Sequence, residues 1–337
     1  MKKVIITGPT GAIGHALIEK CLDEGCEVFA ICRPNSERIK SLPQHVRLHI
    51  LEYDLSELKK ANESLPVDCD VLYHFGWAAT FGDARNDMPT QIKNIQYTID
   101  AVHLAHVCGC STFIGAGSQA EYGRVEGKLS ADTPAFPENG YGMAKLCAGE
   151  MSRVEAQKLG IKHIWTRILS VYGPYDGQQT LISSAIRSML SGEKLSMTAG
   201  EQLWDYLYSS DAADALYAMA ENGKDGSVYV LGSGKALPLR EYVEIIRDII
   251  NPDLEIGFGE RPYFKDQVMH LEADISDLTK DTGWIPKINF YNGVSMLIQQ
   301  KHMFKQRGLT LYKIKKKFNI CLCLCKKEVL VGGEYCA

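Results

Sequence analysis

The sequence predicts an α/β protein: a doubly wound parallel sheet carrying a smaller mixed α/β unit in its second half. Three observations lead there. Short β-branched runs alternate with amphipathic helical stretches at βαβ lengths from Val4 to Ile168. The first run, Val4-Ile5-Ile6, breaks into a turn with glycines at 8, 11 and 14, and a helix follows at once. Beyond Pro174 the regular alternation loosens.

The first run reads as a buried parallel strand. The helix after it sets Ile13, Ala16, Leu17 and Cys21 on one face. Between them, the glycine spacing suits a tight turn, close backbone approach to a pyrophosphate, and close helix–strand packing. The pyrophosphate would lie on free N–H groups at the helix start. Gly8, Thr10, Gly11, Ala12, Ile13 and Gly14 are therefore the candidate contacts, and the sheet is expected to be of Rossmann type.

Glu27–Cys32 is the second strand, followed by Arg33-Pro34-Asn35-Ser36. An acid at this place would accept bonds from a ribose 2′-OH. Arg33 stands there instead, and a guanidinium pairs with a 2′-phosphate. NADP(H) is favoured, with NAD(H) as the alternative. Val46–Leu51 is a third strand, ending at Asp54-Leu55, where Asp54 could meet the adenine edge. Val71–Phe75 is a fourth, capped by Gly76-Trp77-Ala78-Ala79, so Phe75, Gly76 and Ala78 face the same crevice. A helix from about Thr90 to Val107 and a fifth strand, Thr112–Gly115, come next. Ligands of such sheets gather at the strands' carboxyl ends.

After Ser118 and a polar loop, Tyr141 opens a helix reaching Leu159, and His163–Ile168 is the sixth strand. Residues 1–174 and 205–235 are expected to form the dinucleotide-binding domain. Within them, Asp205–Asn222 would return a helix and Ser227–Leu231 a strand. Residues 175–204 and 236–300 would form the second domain, and 301–337 an extension.

Composition excludes some classes. The formal net charge is −4, but residues 301–337 carry nine Lys/Arg against two Glu, leaving −11 on the first 300 residues. An acidic body gives no support for nucleic-acid binding. No apolar run approaches the roughly 18 residues of a membrane span, and Met1-Lys2-Lys3 leads straight into a strand, so a cytoplasmic protein is expected. Cys21, Cys26, Cys32, Cys69, Cys108, Cys110 and Cys147 lack CxxC pairing and read as reduced core residues. In the tail, Lys313, Lys315, Lys316 and Lys317 precede Cys321, Cys323 and Cys325, with Cys336 beyond. Cys-x-Cys-x-Cys lacks zinc-knuckle spacing, and no metal is expected. Acylated cysteines beside lysines would favour an anionic membrane surface. The simpler reading is an extension with no separate task.

Tyr141 and Lys145 lie four apart, on one helix face. An ammonium beside a phenol would lower its pKa from about 10 toward neutrality, making the tyrosine a proton donor and acceptor. Ser118 could bond the same substrate oxygen, and Lys145 could also hold the nicotinamide ribose. Tyr312 and Lys316 repeat the spacing, so context distinguishes the first pair.

With these residues in view, the chain resembles an extended short-chain dehydrogenase/reductase of the NAD(P)-dependent nucleotide-sugar epimerase/dehydratase family. The resemblance rests on Thr7-Gly8-x-x-Gly11-x-x-Gly14, Asp54-Leu55, Ser118…Tyr122-Gly123, Tyr141-x-x-x-Lys145 and Arg167…Tyr172-Gly173-Pro174. Gly200-Glu201-Gln202, Asp205 to Asp211, Gly232-Ser233-Gly234 and Gly283-Trp284-x-Pro286 continue it, and Asn94 matches an asparagine that helps order the site. It implies hydride transfer between nicotinamide and a sugar carbon, with Tyr141 moving the proton and Ser118 polarising the carbonyl. It also implies a homodimer through helices 90–107 and 141–159. Gln119-Ala120 stand where dehydratases carry Asp-Glu, and Ala120 where one epimerase type carries cysteine. Reduction of a 4-keto sugar and 4-epimerisation remain. Arg33 favours NADPH-dependent reduction, and Gly117–Gly123 resembles 4-keto-6-deoxyhexose reductases. Gln119, Tyr172, Trp204, Arg261 and His270 fall where the family meets its nucleotide-sugar. Trp204 could stack on a base or pack between domains; Arg261 could hold a diphosphate or form a surface ion pair. A non-catalytic NADP-sensing protein is the remote alternative.

Overall fold

The computed structural model describes residues 1–306. The chain starts with β1 (Lys3–Thr7), α1 (Ala12–Asp23), β2 (Glu27–Cys32), β3 (Leu48–Glu52), β4 (Val71–His74), α2 (Met88–Val107) and β5 (Thr112–Ser118). It continues with β6 (Lys128–Leu129), α3 (Gly140–Leu159), β7 (Lys162–Ile168), β8 (Ser170–Tyr172), α4 (Leu181–Leu190), β9 (Leu195–Ser196), β10 (Leu203–Tyr208), α5 (Ser209–Asn222) and β11 (Val228–Leu231). The last elements are β12 (Ala236–Pro238), α6 (Leu239–Ile250), β13 (Ile256–Gly257), β14 (His270–Ala273), α7 (Ser276–Thr282) and α8 (Phe290–Gln306).

Seven parallel strands run β11-β7-β5-β4-β1-β2-β3, so the order reverses between β1 and β4. A crevice outside the carboxyl ends at that reversal is the expected ligand site of a doubly wound sheet. The pleat explains the two cores. Val4 and Ile6 point to the face covered by α1 and α5, where Leu17, Ile18, Leu216 and Met219 are fully buried. Ile5 points to the other face, against Leu72, Phe113, Ala101 and Val102 under α2.

A second, mixed sheet runs β12-β10-β14-β6, with β8 also paired to β10. Beside it, α4, α6 and α8 close a third core around Ile186, Val243, Ile246 and Val294. Asp205–Tyr208, expected to begin a helix, instead ends β10; the helix starts at Ser209. Trp204, Tyr206 and Tyr208 are strand-forming aromatics around the acid, and β10 pairs with β8, β12 and β14. The buried Asp205 carboxylate accepts the N–H groups of Ser233 (2.7 Å), Gly234 (3.0 Å) and Ala273 (3.1 Å), tying the Gly232-Ser233-Gly234 turn to this strand. The third strand starts at Leu48 rather than Val46, which is 88% exposed.

The seven cysteines up to Cys147 are free, and all but Cys147 are buried. Among the described residues no helix is long and apolar enough to cross a membrane. The lysine and cysteine cluster of the tail, with Tyr312, lies outside the described residues.

Candidate active site

At the end of β1 the chain turns at Gly8, whose φ of 67° is left-handed, and an added Cβ would lie 2.8 Å from Gly76 N. A Cβ at Gly14 would lie 2.5 Å from Gly8 O, so α1 starts in near contact with the turn. Gly11 differs: a Cβ there meets nothing closer than 3.8 Å, and Gly11 is the N-cap of α1 with no side-chain cap bond. The opening N–H groups of α1, around Ala12 and Ile13, thus carry no side-chain cap, and its first turn holds no acid. The turn fits a pyrophosphate, with half-exposed Thr10 beside it.

Arg33 is exposed just after β2, and Glu52, at the end of β3, accepts the Asn35 N–H at 2.9 Å. A second arginine follows in the same loop: Arg38 on the turn Glu37–Ser41 donates to Tyr175 O at 2.9 Å. Its signal was a basic residue five places after Arg33. Asp54 Oδ1 accepts from Ser56 N (3.0 Å) and Ser56 Oγ (2.8 Å), capping the turn at Leu55–Ser64. Leu55 packs on Gly76, where a Cβ would lie 2.6 Å from Leu55 Cδ2.

The loop after β4 is held from α2. Asn94 donates to Ala78 O (2.9 Å) and accepts the Ala78 N–H (3.0 Å). Gln91 accepts from Trp77 Nε1 (3.0 Å) and donates to Ala79 O (2.9 Å). Gly76 N donates to Thr7 Oγ1 at 3.1 Å, and Thr7 Oγ1 meets His74 Nδ1 at 2.9 Å, joining β1 to β4 beneath half-buried Phe75.

Ser118 ends β5 and starts a short turn, Gln119–Glu121. Glu121 is fully buried; burial pushes its carboxyl above the usual range, against the pull of Arg167 and the Ser118 N–H. It takes Arg167 Nε at 2.8 Å and Trp165 Nε1 at 3.1 Å. The Trp165 indole lies across three glycines: a Cβ at Gly115, Gly117 or Gly149 would approach it to 2.3, 2.4 and 2.7 Å. The glycines in β5 and α3 thus admit the ring that anchors Glu121. In the sequence Glu121 lies within the Gly117–Gly123 motif, where nothing in the pattern marks its role.

Tyr141 sits at the start of α3, whose N-cap Asn139 accepts the Gly142 N–H at 2.9 Å. Lys145, one turn on, is 4% exposed and donates to Ala116 O at 2.5 Å. The expected effect of Lys145 on Tyr141 is corrected. Burial pushes the phenol above its ordinary pKa, opposed by the Ser118 hydroxyl and the Arg85 charge. Arg85 Cζ stands 4.8 Å over the Tyr141 ring. Lys145 is itself pushed down to about 7 by burial, with Glu121 pulling upward. Its Nζ lies 3.7 Å from the Trp77 ring centroid and 5.8 Å from that of Tyr141.

A cavity of about 790 Å³ opens beside β8 and is lined by Phe81, Ser170, Asp176, Trp204, Arg261 and Phe264, among others. Tyr172 lines it too but is buried, its hydroxyl donating to Phe290 O at 3.4 Å. Trp204 shows part of its ring while Nε1 donates to Ser170 Oγ at 2.7 Å. Arg261 is exposed, and among the described residues no carboxylate is within ion-pair distance of it. His270 does not line the cavity; it sits on β14, accepting the Gly127 N–H at Nδ1 (2.9 Å) with Glu272 3.4 Å from Nε2. Half-buried Gln119 follows Ser118 and is likewise outside the lining.

The model of the NAD dependent epimerase/dehydratase family matches residues 4–232, from β1 through β11. The chain belongs to that family. It is therefore an NAD(P)-dependent enzyme of the extended short-chain dehydrogenase/reductase class. Among relatives, CDP-abequose synthase of Salmonella muenchen is 25% identical, over 89% of this chain and 98% of that one. The dTDP-4-dehydro-6-deoxyglucose reductase of Escherichia coli is 26% identical, over 88% and 96%. Among solved structures, UDP-glucose 4-epimerase of Thermotoga maritima with UDP-glucose superposes at a TM-score of 0.79, 20% identical, over 89% of this chain and 99% of that one.

Proposed function

We propose that the protein reduces the C4 keto group of a nucleotide-activated 4-keto-6-deoxyhexose with NADPH, as a step in deoxysugar and surface-polysaccharide biosynthesis in the cytoplasm. Convergence of Ser118, Tyr141 and Lys145 at the carboxyl end of β5 carries the reading. Gly8 to Gly14, Arg33, Asp54, Leu55, Phe75, Gly76, Ala78 and Lys145 would hold the dinucleotide. NADPH, when bound, supplies the hydride for C4. Tyr141 gives its phenolic proton to the C4 oxygen as charge develops there, and Ser118 donates a hydrogen bond to the same oxygen. A phenol held above its ordinary pKa keeps its proton at neutral pH, which suits a donor.

Exposed Arg33, with Arg38 five residues on and no acid at the end of β2, supports NADP(H) over NAD(H). Residues 175–204 and 236–300 would supply the sugar side, with Tyr172, Trp204 and Arg261 at the large cavity. Gln119 and His270, outside its lining, stay with the proposal only on the family resemblance. The exposed apolar residues Ile92 and Val107 of α2, and Met143, Met151 and Val154 of α3, support a homodimer through these helices.

The test is incubation with CDP-, dTDP-, GDP- and UDP-sugars, each with NADPH or NADH. NADPH oxidation by a 4-keto sugar is the expected result. Interconversion of two 4-hydroxy sugars without added cofactor would instead establish 4-epimerisation. Unchanged turnover by Tyr141→Phe would overturn the chemistry assigned to that residue.

A further inference from the structure

We propose that Trp77 is a positioning residue for Lys145, its indole face carrying the ammonium and preserving its charge inside the closed site. The observation is geometric. Lys145 Nζ lies 3.7 Å from the Trp77 ring centroid, close for a cation over an aromatic face. The Tyr141 ring meets the same indole edge-on at 6.1 Å. Trp77 cannot easily turn away, because Gln91 Oε1 accepts its Nε1 proton at 3.0 Å. Gln91 is 1% exposed and grips the loop again at Ala79 O, while Asn94 clamps Ala78 from both sides. Ala79 itself has φ 60°, so this loop is held in a conformation that few side chains favour.

The other groups facing Lys145 leave it short of partners. From β5 comes Ala116 O at 2.5 Å. Glu121, from the turn after β5, spends its charge on Arg167 at 2.8 Å. His74 of β4 is held neutral, its pKa pulled down to about 3 by burial and by Lys145. Tyr141 of α3 keeps its proton, and Arg85 of the loop after β4 adds a like charge over the far ring. With one carbonyl and no free carboxylate, the electron-rich indole face stands in for lost water. Trp77, between the candidate cofactor contacts Gly76 and Ala78, reaches Lys145.

The kinetic consequence rests on the reading of Tyr141 and Lys145 as site residues; the physical claim does not. The test therefore measures Lys145 directly. Protein labelled with ¹³C at lysine Cε is titrated by NMR, the Lys145 signal being assigned with Lys145→Arg. Trp77→Leu is expected to lower the Lys145 pKa by about half to one and a half units, the worth of a partly to fully desolvated cation–aromatic contact. Trp77→Phe keeps a weaker face without the Gln91 bond and should fall between. Thermal melts of both variants and of Gln91→Leu report whether the loop still packs. An unchanged or raised pKa in a folded Trp77→Leu protein overturns the proposal.

If a nucleotide-sugar is turned over, the basic limb of kcat/KM should move down by the same interval. A purely structural role would lower the rate without moving that limb, and would overturn the proposal too. Absence of turnover in the whole sugar panel would defeat the proposed function and leave the titration to decide on Trp77.

Discussion

The Glu121 carboxylate closes on the backbone N–H of Ser118 at 2.8 Å, while the Ser118 hydroxyl accepts the Ala120 N–H at 3.2 Å. The two residues cap one turn reciprocally, so the orientation of Ser118 depends on a buried acid three places downstream. That acid depends in turn on Arg167, 46 residues further along the chain and next to the last residue of β7.

Glu121→Gln keeps the shape but leaves the Arg167 guanidinium, 7% exposed, without a countercharge. The expected loss is about 3–5 kcal/mol, since a buried charge is stranded. Glu121→Gln/Arg167→Met should recover much of it. Chemical denaturation of both single variants and the double variant checks this; a single-variant loss under about 1 kcal/mol would show that the pair does not anchor the turn.

Lys145→Met should stabilise the fold, and more so at low pH. Burial puts the folded-state pKa near 7, below the unfolded value of 10.5. Between those values the unfolded chain binds the additional proton, so the stability contributed by this residue rises as pH rises through the window. The penalty is full below about pH 7 and gone above about 10.5. The variant's gain, at most about 5 kcal/mol, should therefore be greatest near pH 6 and shrink toward pH 10. Melting curves across that range decide it, and a gain independent of pH would place the charge elsewhere.

Arg33→Ala and Arg38→Ala should each raise the KM for NADPH about tenfold, by losing a charge-assisted bond to the 2′-phosphate. The KM for NADH should hardly change. Equal weakening of both cofactors would mean that the arginines touch something common to them.

Much of the sheet was legible because buried parallel strands leave strong marks. β1, β2, β4 and β7 are runs of apolar β-formers, and each was placed within a residue or two of its observed bounds. β10 was missed because Asp205 interrupts its pattern, and that acid makes sense only once Ser233 and Gly234 approach from the turn after β11 and Ala273 from β14. At the site, the spacing of Tyr141 and Lys145 predicted one helix face correctly. It could not predict that Lys145 would lie on Trp77, or that Arg85 would supply the charge over Tyr141. Both partners come from the loop after β4, where periodicity carries no information. Trp165 likewise looks like an ordinary core tryptophan until three glycines from β5 and α3 are seen to make room for it.

Arg38 spans more than its own turn. Its guanidinium holds the carbonyl of Tyr175, a non-glycine residue at φ 67° whose successor, Asp176, borders the large cavity. If Arg38 meets the 2′-phosphate as proposed, that contact competes with its hold on Tyr175 O beside the cavity-lining Asp176. Under the proposed function the cofactor and sugar sites would then share a tether, and binding of the two ligands would be ordered.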